Sequence, residues 1–301
     1  MKSTIKLLIA LLLFVPTFAT AAPDAEGAPT ADEELALAAL EGLMSQSPAR
    51  ALPIIKKVLA GTQPKLVKQR ALFVLSQIDG PEAADILLQT ARSADADMRD
   101  EAIRSIGIGG DPKSLDALLP IYAAGGKDVK KRVLEAWMIA DRKEALYQVA
   151  VTAKTEEEAA EAIRLLGAMG ATEELRKLGD RPNAAPGLID AYAISGDLAS
   201  LRKIAEGTSE KSVRLQAVRQ IGIVDGDAAR AALRDIYTRT TDDEIKKAAL
   251  NGMLIADDEK GVLALYQASK DVDEKRALLR TLTSMDGDIA LQAIDAALEK
   301  K

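Results

Sequence analysis

The chain has neither cysteine nor histidine, and Phe, Trp and Tyr together make up only 3% of it. Each absence removes a class of chemistry. Without cysteine there is no disulfide, no thiol nucleophile, no thiolate metal site and no lipidated N-terminal Cys. Without histidine there is no imidazole-based triad and no histidine-bearing zinc or non-haem iron site. An excess of positive charge is missing too. Forty basic against 46 acidic residues give a net charge of −6, which argues against a nucleic-acid-binding surface. What is present is 48% hydrophobic and 29% charged residues of both signs in 301 residues, too apolar for a disordered chain.

Residues 1–22 read as an export signal. Lys2 and Lys6 make a positive start, Leu7 to Phe18 is a 12-residue apolar stretch, and Ala19-Thr20-Ala21 supplies small residues for cleavage after Ala21. A spanning helix needs about 20 apolar residues, although an uncleaved N-terminal anchor is the alternative. No other stretch is long and apolar enough to span, so the cleaved chain is expected to have no integral membrane segment and to be periplasmic or secreted. Loss of the two lysines takes the net charge from −6 to −8. Residues 23–33, rich in Pro, Gly, Ala and acid, are expected to form a flexible leader.

From there the chain repeats. An acidic or Ser residue, an apolar residue and Lys or Arg precede an apolar anchor by three positions: Asp97-Met98-Arg99 before Ala102, Asp128-Val129-Lys130 before Val133, Ser212-Val213-Arg214 before Ala217. The anchors Ala39, Ala71, Ala102, Val133, Ala162, Leu188, Ala217, Ala249 and Leu278 recur about every 30 residues, a helical-solenoid period. Each unit predicts a helix, a Gly/Asp turn and a second helix. In the fourth, Val129, Val133, Leu134, Trp137 and Met138 share one helical face, Asp128 precedes them as an N-cap, and Asp141 closes the turn and can cap the second helix. No period-two alternation is sustained, so no strands are expected.

A longer period lies over the short one. Ile106-Gly107-Ile108 matches Ile221-Gly222-Ile223, Ile121-Tyr122 matches Ile236-Tyr237, Ile139-Ala140-Asp141 matches Ile255-Ala256-Asp257, and Leu146-Tyr147-Gln148 matches Leu265-Tyr266-Gln267. Four units therefore look duplicated, with the first as a cap. Residues 34–182 hold units one to five and 183–301 units six to nine. Two prolines and two glycines within 179–187 predict an irregular or kinked junction.

These Asp-apolar-Arg/Lys anchors, followed by Leu/Ile and Gly/Asp, resemble HEAT-like repeats of the short bacterial type named after the phycobilisome lyases, over about residues 35–301. The resemblance implies an all-α, right-handed α-solenoid of about nine helix–turn–helix units. The enzymes of such families do not transfer. HEAT-repeat deoxyhypusine hydroxylases hold di-iron through His-Glu motifs, absent here. HEAT-like alkylpurine DNA glycosylases use a basic aromatic groove, against one Trp and net −8 after cleavage here. The bilin lyases are cytosolic, which conflicts with an export signal.

Other candidate chemistry yields to structural explanations. The basic ladder Lys68, Arg99, Lys130, Arg214, Lys246 and Lys275 is expected to pair with acids of its own or the next unit, though an anion-binding stripe is the alternative. The acidic clusters Asp225-Gly-Asp227, Asp242-Asp243-Glu244, Asp257-Asp258-Glu259 and Asp286-Gly-Asp288 lack the calcium-loop spacing and fall where helices begin. Ser200-Leu201-Arg202-Lys203 matches S-x-x-K without its companion motifs. Gly107-Ile-Gly109-Gly110 follows no strand and reads as a helix end. No catalytic, cofactor or metal residues are therefore assigned. Tyr122, Tyr147, Tyr237 and Tyr266 lie on second helices, which in such solenoids usually line the concave binding face. They are candidates for partner contact, with a place in the inter-helix core as the alternative; Trp137 is expected in the core. The sequence thus points to an exported, monomeric, non-catalytic scaffold holding a protein or peptide partner. The alternative is an enzyme or small-ligand binder with a carboxylate/tyrosine pocket near the mid-chain seam.

Overall fold

The computed structural model describes residues 28–180, 187–285 and 287–299. The signal segment, residues 23–27 of the leader, the central junction residues 181–186, Asp286, Lys300 and Lys301 lie outside the described residues. Within them the chain forms nineteen helices and no strands. They fall into nine units, each a first helix followed by a second. The pairs are α1 (Ala31–Leu43) with α2 (Pro48–Ala60), α3 (Lys65–Ser76) with α4 (Pro81–Thr90), and α5 (Ala96–Gly109) with α6 (Pro112–Asp116) and α7 (Leu118–Ala124). Next come α8 (Lys127–Ile139) with α9 (Lys143–Thr152), α10 (Glu156–Ala168) with α11 (Thr172–Gly179), and α12 (Leu188–Ile194) with α13 (Leu198–Ala205). The last three are α14 (Lys211–Ile221) with α15 (Asp227–Arg239), α16 (Asp243–Ile255) with α17 (Glu259–Ala268), and α18 (Val272–Thr283) with α19 (Asp288–Glu299).

The third unit has three helices because of Pro120. Its ring would meet the carbonyl of Asp116, four residues back, and it has no N–H to bond there. The second helix accordingly breaks at Ala117 into α6 and α7. Asp235 stands at the duplicated position, and α15 runs unbroken.

Eight of the nine anchors are buried on first helices, from Ala71 to Leu278. The first unit is a correction: Ala39 is exposed and Leu40 takes the inward place. The leader is shorter than expected as well. Thr30 accepts from the Glu33 N–H at 3.3 Å and Glu33 returns the bond to the Thr30 N–H at 2.8 Å. This capping box starts α1 at Ala31, inside the expected leader.

First helices stack on first helices through small residues in a fixed register. A Cβ on Gly107 would lie 2.8 Å from Ala136 Cα, one on Gly167 3.1 Å from Ala191 Cα, and one on Gly222 2.7 Å from Gly252 Cα. The glycine stands five residues after the anchor of one unit, and its neighbour three after the anchor of the next. The α10–α12 contact shows that the stack of first helices continues across the central junction.

The turn inside a unit is also a repeated device. Asp141, Gly170, Gly196 and Asp257 all have positive φ (54°, 64°, 72° and 51°). After each, the next residue's N–H bonds back five positions: Arg142 to the Trp137 carbonyl at 2.8 Å, Ala171 to Leu166 at 2.9 Å, Asp197 to Tyr192 at 2.8 Å and Asp258 to Met253 at 2.9 Å. Asp141 thus closes the turn but does not cap α9, whose N-cap is Arg142 without a side-chain bond. Nor is Asp128 an N-cap. The chain turns at Gly125-Gly126, α8 begins at Lys127, and Asp128 sits in its first turn, still favourably placed for the helix dipole.

Candidate functional site

The acidic clusters act largely as helix starts. Asp242 accepts from the N–H groups of Glu244 and Ile245, Asp258 from that of Gly261, and Asp227 pairs with Arg230 at 2.6 Å. Among the described residues no group of three or more acidic side chains could hold a metal ion. Ser200 of the S-x-x-K match is committed as well. Its hydroxyl donates to Asp197 at 2.7 Å, while Lys203 reaches Asp180 at 3.6 Å. Gly110, at φ 70°, ends α5 as the helix-end reading required.

The seam brings Tyr192 and Asp197 together without leaving either free. The Tyr192 hydroxyl donates to the Leu175 carbonyl at 3.1 Å. Asp197 is buried, caps α13, and takes both Nε (2.8 Å) and Nη2 (2.7 Å) of Arg176. Burial opposes its ionisation, yet the bonds from Arg176 and Ser200 hold its carboxyl below the ordinary value.

Three of the second-helix tyrosines meet three members of the basic ladder. Lys130 Nζ lies 5.4 Å from the Tyr122 ring centroid, Lys246 4.9 Å from Tyr237, and Lys275 5.6 Å from Tyr266. Each lysine comes from the unit after its tyrosine, a cation set against the electron-rich ring face. Where the ladder lapses, at Ala159, Lys177 of α11 covers Tyr147 instead, at 5.9 Å. Lys130 and Lys246 also reach Glu158 and Glu274 of the following unit, both at 2.6 Å, and Arg99 pairs with Asp100 in its own unit at 3.2 Å. Arg214 departs from the expectation, donating to the Ala205 carbonyl at the end of α13.

The four tyrosines are not equivalent. Tyr122 and Tyr237 are buried in the inter-helix core, while Tyr147 and Tyr266 are half-buried. Trp137 is buried beside Tyr122, ring centroids 5.7 Å apart, with its indole N–H on the Leu115 carbonyl at 3.1 Å. The Tyr237 hydroxyl donates to Glu274 at 3.1 Å, and the Ser269 hydroxyl donates to the other oxygen of that carboxylate at 2.6 Å. The Lys246 bond, with those from Ser269 and Tyr237, holds the Glu274 carboxyl below the ordinary range. Burial, with Glu274 adding, raises the Tyr237 hydroxyl. Burial and the Glu158 charge push Tyr122 up to about 12, and its hydroxyl has no hydrogen-bond partner among the described residues.

One surface feature was missed by the sequence reading. Six residues after the anchors Val133, Leu188, Ala217 and Ala249 stand Ile139, Ile194, Ile223 and Ile255, exposed by 45%, 55%, 58% and 55%. Ile108 holds the same place in the third unit, half-buried, and Ala168 in the fifth. They mark the edge where each first helix hands over to the second. The signal was already visible in the matched Ile-Gly-Ile and Ile-Ala-Asp segments, which carry the isoleucine along with the repeat.

Residues 52–137 match the family model for HEAT repeats. No curated protein matches the chain. Among solved structures it is similar to human deoxyhypusine hydroxylase in complex with glycerol, at 18% identity over 89% of this chain and 92% of that one, with a TM-score of 0.33. It is also similar to the complex of CpcE and CpcF of phycocyanin lyase from Nostoc sp. PCC7120, at 19% identity over 90% and 99%, again with a TM-score of 0.33. At such scores these likenesses carry no functional argument. No helix among the described residues is long and apolar enough to cross a membrane.

Proposed function

Given that the chain is a HEAT-like repeat protein, we propose that it serves as an exported scaffold that holds a protein or peptide partner without acting on it chemically. The observation that carries this reading is the line of isoleucines. A single exposed apolar residue is ordinary, but isoleucine exposed at the same register in four units, with Ala168 at that place in the fifth, is a repeated apolar edge. Helices pack roughly 8–10 Å apart, so units three to eight would present it over about 40–50 Å, suited to an extended polypeptide.

The second helices form the concave face on this reading. Tyr147 and Tyr266 offer their half-buried rings there, while Tyr122 and Tyr237 support it from below. Export rests on the N-terminal signal, and the mature chain would begin at Ala22; its measured mass in the periplasmic or secreted fraction tests that part. For the scaffold itself, Ile194→Glu with Ile223→Glu should abolish co-purification of a partner from that fraction while helix content stays unchanged. Recovery of the same partner in equal amount would count against it.

A further inference from the structure

The duplication supplies an internal comparison. Tyr122, Lys130 and Glu158 correspond to Tyr237, Lys246 and Glu274 at offsets of 115 or 116 residues. In the second half the set is closed, because Tyr237 and Ser269 both donate to Glu274. Arg234 of α15 also reaches Asp258 at the start of α17, at 3.2 Å. In the first half Tyr122, Lys130 and Glu158 keep their types, but the residues around them are replaced. Ala153 stands for Ser269, Leu119 for Arg234, Arg142 for Asp258, and Pro120 breaks the helix where Asp235 continues it.

A cavity of about 390 Å³ results, walled by Leu119, Trp137 and Val149 and lined by Tyr122 and Lys130. Tyr122 is 9% exposed, and its hydroxyl, with no partner among the described residues, is a buried polar group left unsatisfied. Raised to about 12, it stays protonated near neutral pH and can donate. Lys130 is matched by Glu158 and Arg142 by Asp116. Lys154, exposed at the mouth, has no ion-pair partner among the described residues, leaving one positive charge over. Apolar walls, one orphan donor and one surplus cation define the complement of a compact apolar anion.

We propose that this cavity binds an apolar carboxylate, its body against Trp137 and Leu119 and its oxygen on the Tyr122 hydroxyl. The carboxylate is either a free small acid or the C-terminus of a polypeptide ending in an apolar residue. The inference stands apart from the isoleucine edge and does not depend on it.

Trp137 is the only tryptophan, so its emission reports the cavity directly. The probes are 3-phenylpropionate, the tripeptide Gly-Gly-Phe with a free carboxylate, and its C-terminal amide. A saturable change in emission with a carboxylate probe, weakened about tenfold by Tyr122→Phe, is the expected result. Binding of the free acid alone assigns a small molecule and of the tripeptide alone a polypeptide terminus; both together support the shared chemistry. Leu119→Arg with Arg142→Asp, which copies the second-half ion pair, should remove the response without lowering the melting temperature. Equal binding of the amide, undiminished binding by Tyr122→Phe, or no response to any probe at millimolar concentration would overturn the proposal.

Discussion

Replacing a helix-interior glycine by alanine ordinarily stabilises a helix by about 0.5–1 kcal/mol, because alanine gives up less backbone entropy. Gly107→Ala is expected to do the opposite. Its Cβ would stand 2.8 Å from both Cα and the carbonyl oxygen of Ala136 and 3.0 Å from its Cβ, atoms that no side-chain rotation can move aside. The helices α5 and α8 would have to separate. Overpacking of this kind costs about 1–3 kcal/mol, so the net loss after the propensity gain is roughly 1–2 kcal/mol. Gly42→Ala in α1 is the control, since a Cβ there meets nothing within 4 Å, and it should stabilise by about 0.5 kcal/mol. Urea denaturation followed by circular dichroism reads both. Ala136→Gly in the Gly107→Ala background removes only the 3.0 Å Cβ contact and leaves the two backbone contacts, so it should recover no more than a small part of the loss. A Gly107→Ala protein as stable as the parent would refute the backbone-to-backbone stacking of first helices.

Asp141→Gly and Asp257→Gly should each raise the melting temperature, because a left-handed residue bearing a Cβ costs about 1 kcal/mol that glycine avoids; a lowered value would contradict the turn geometry. Tyr237→Phe should destabilise by about 1 kcal/mol through loss of the Glu274 bond, whereas Tyr122→Phe, losing no bond, should be neutral or stabilising. Equal losses in the two chemical denaturation curves would refute the asymmetry. The carboxyls of Asp197 and Glu274 lie below their unfolded values, so their stabilisation is complete above the unfolded carboxylate range of about 4 and is lost as pH falls through the folded values. Asp197→Asn should therefore flatten the fall of melting temperature on acidification from pH 5, and an unchanged slope would show that Asp197 does not contribute.

The repeat was legible because an inward face must recur wherever a helix stacks on its neighbour. That logic placed the anchors from Ala71 to Leu278 correctly, and the match of Asp141 with Asp257 proved to be a shared left-handed turn. The same logic explains the slips. The first unit has only one neighbour, and there Leu40 turned inward instead of Ala39. The segments Leu146-Tyr147-Gln148 and Leu265-Tyr266-Gln267 match at an offset of 119, whereas α9 and α17 begin and end at an offset of 116. A three-residue slip is nearly one helical turn and keeps the face, so pattern alone could not separate the two registers. Tyr147 and Tyr266 therefore sit at different levels of their units. The isoleucine edge was hidden for another reason: exposure is decided where a helix ends, and the pattern does not distinguish a buried repeat residue from an exposed one. The cavity at Tyr122 collects Ala153 and Glu158 from later in the chain, which only the folded chain brings beside it.

The central claim, a scaffold that grips a polypeptide along its isoleucine edge, is tested most directly by site-specific photo-cross-linking. A photoreactive residue at Ile194 or Ile223 should give one discrete adduct in the exported fraction. The same residue at exposed Lys131, away from that edge, should give none. Adducts of equal yield from position 131, or none from 194 and 223, would contradict it.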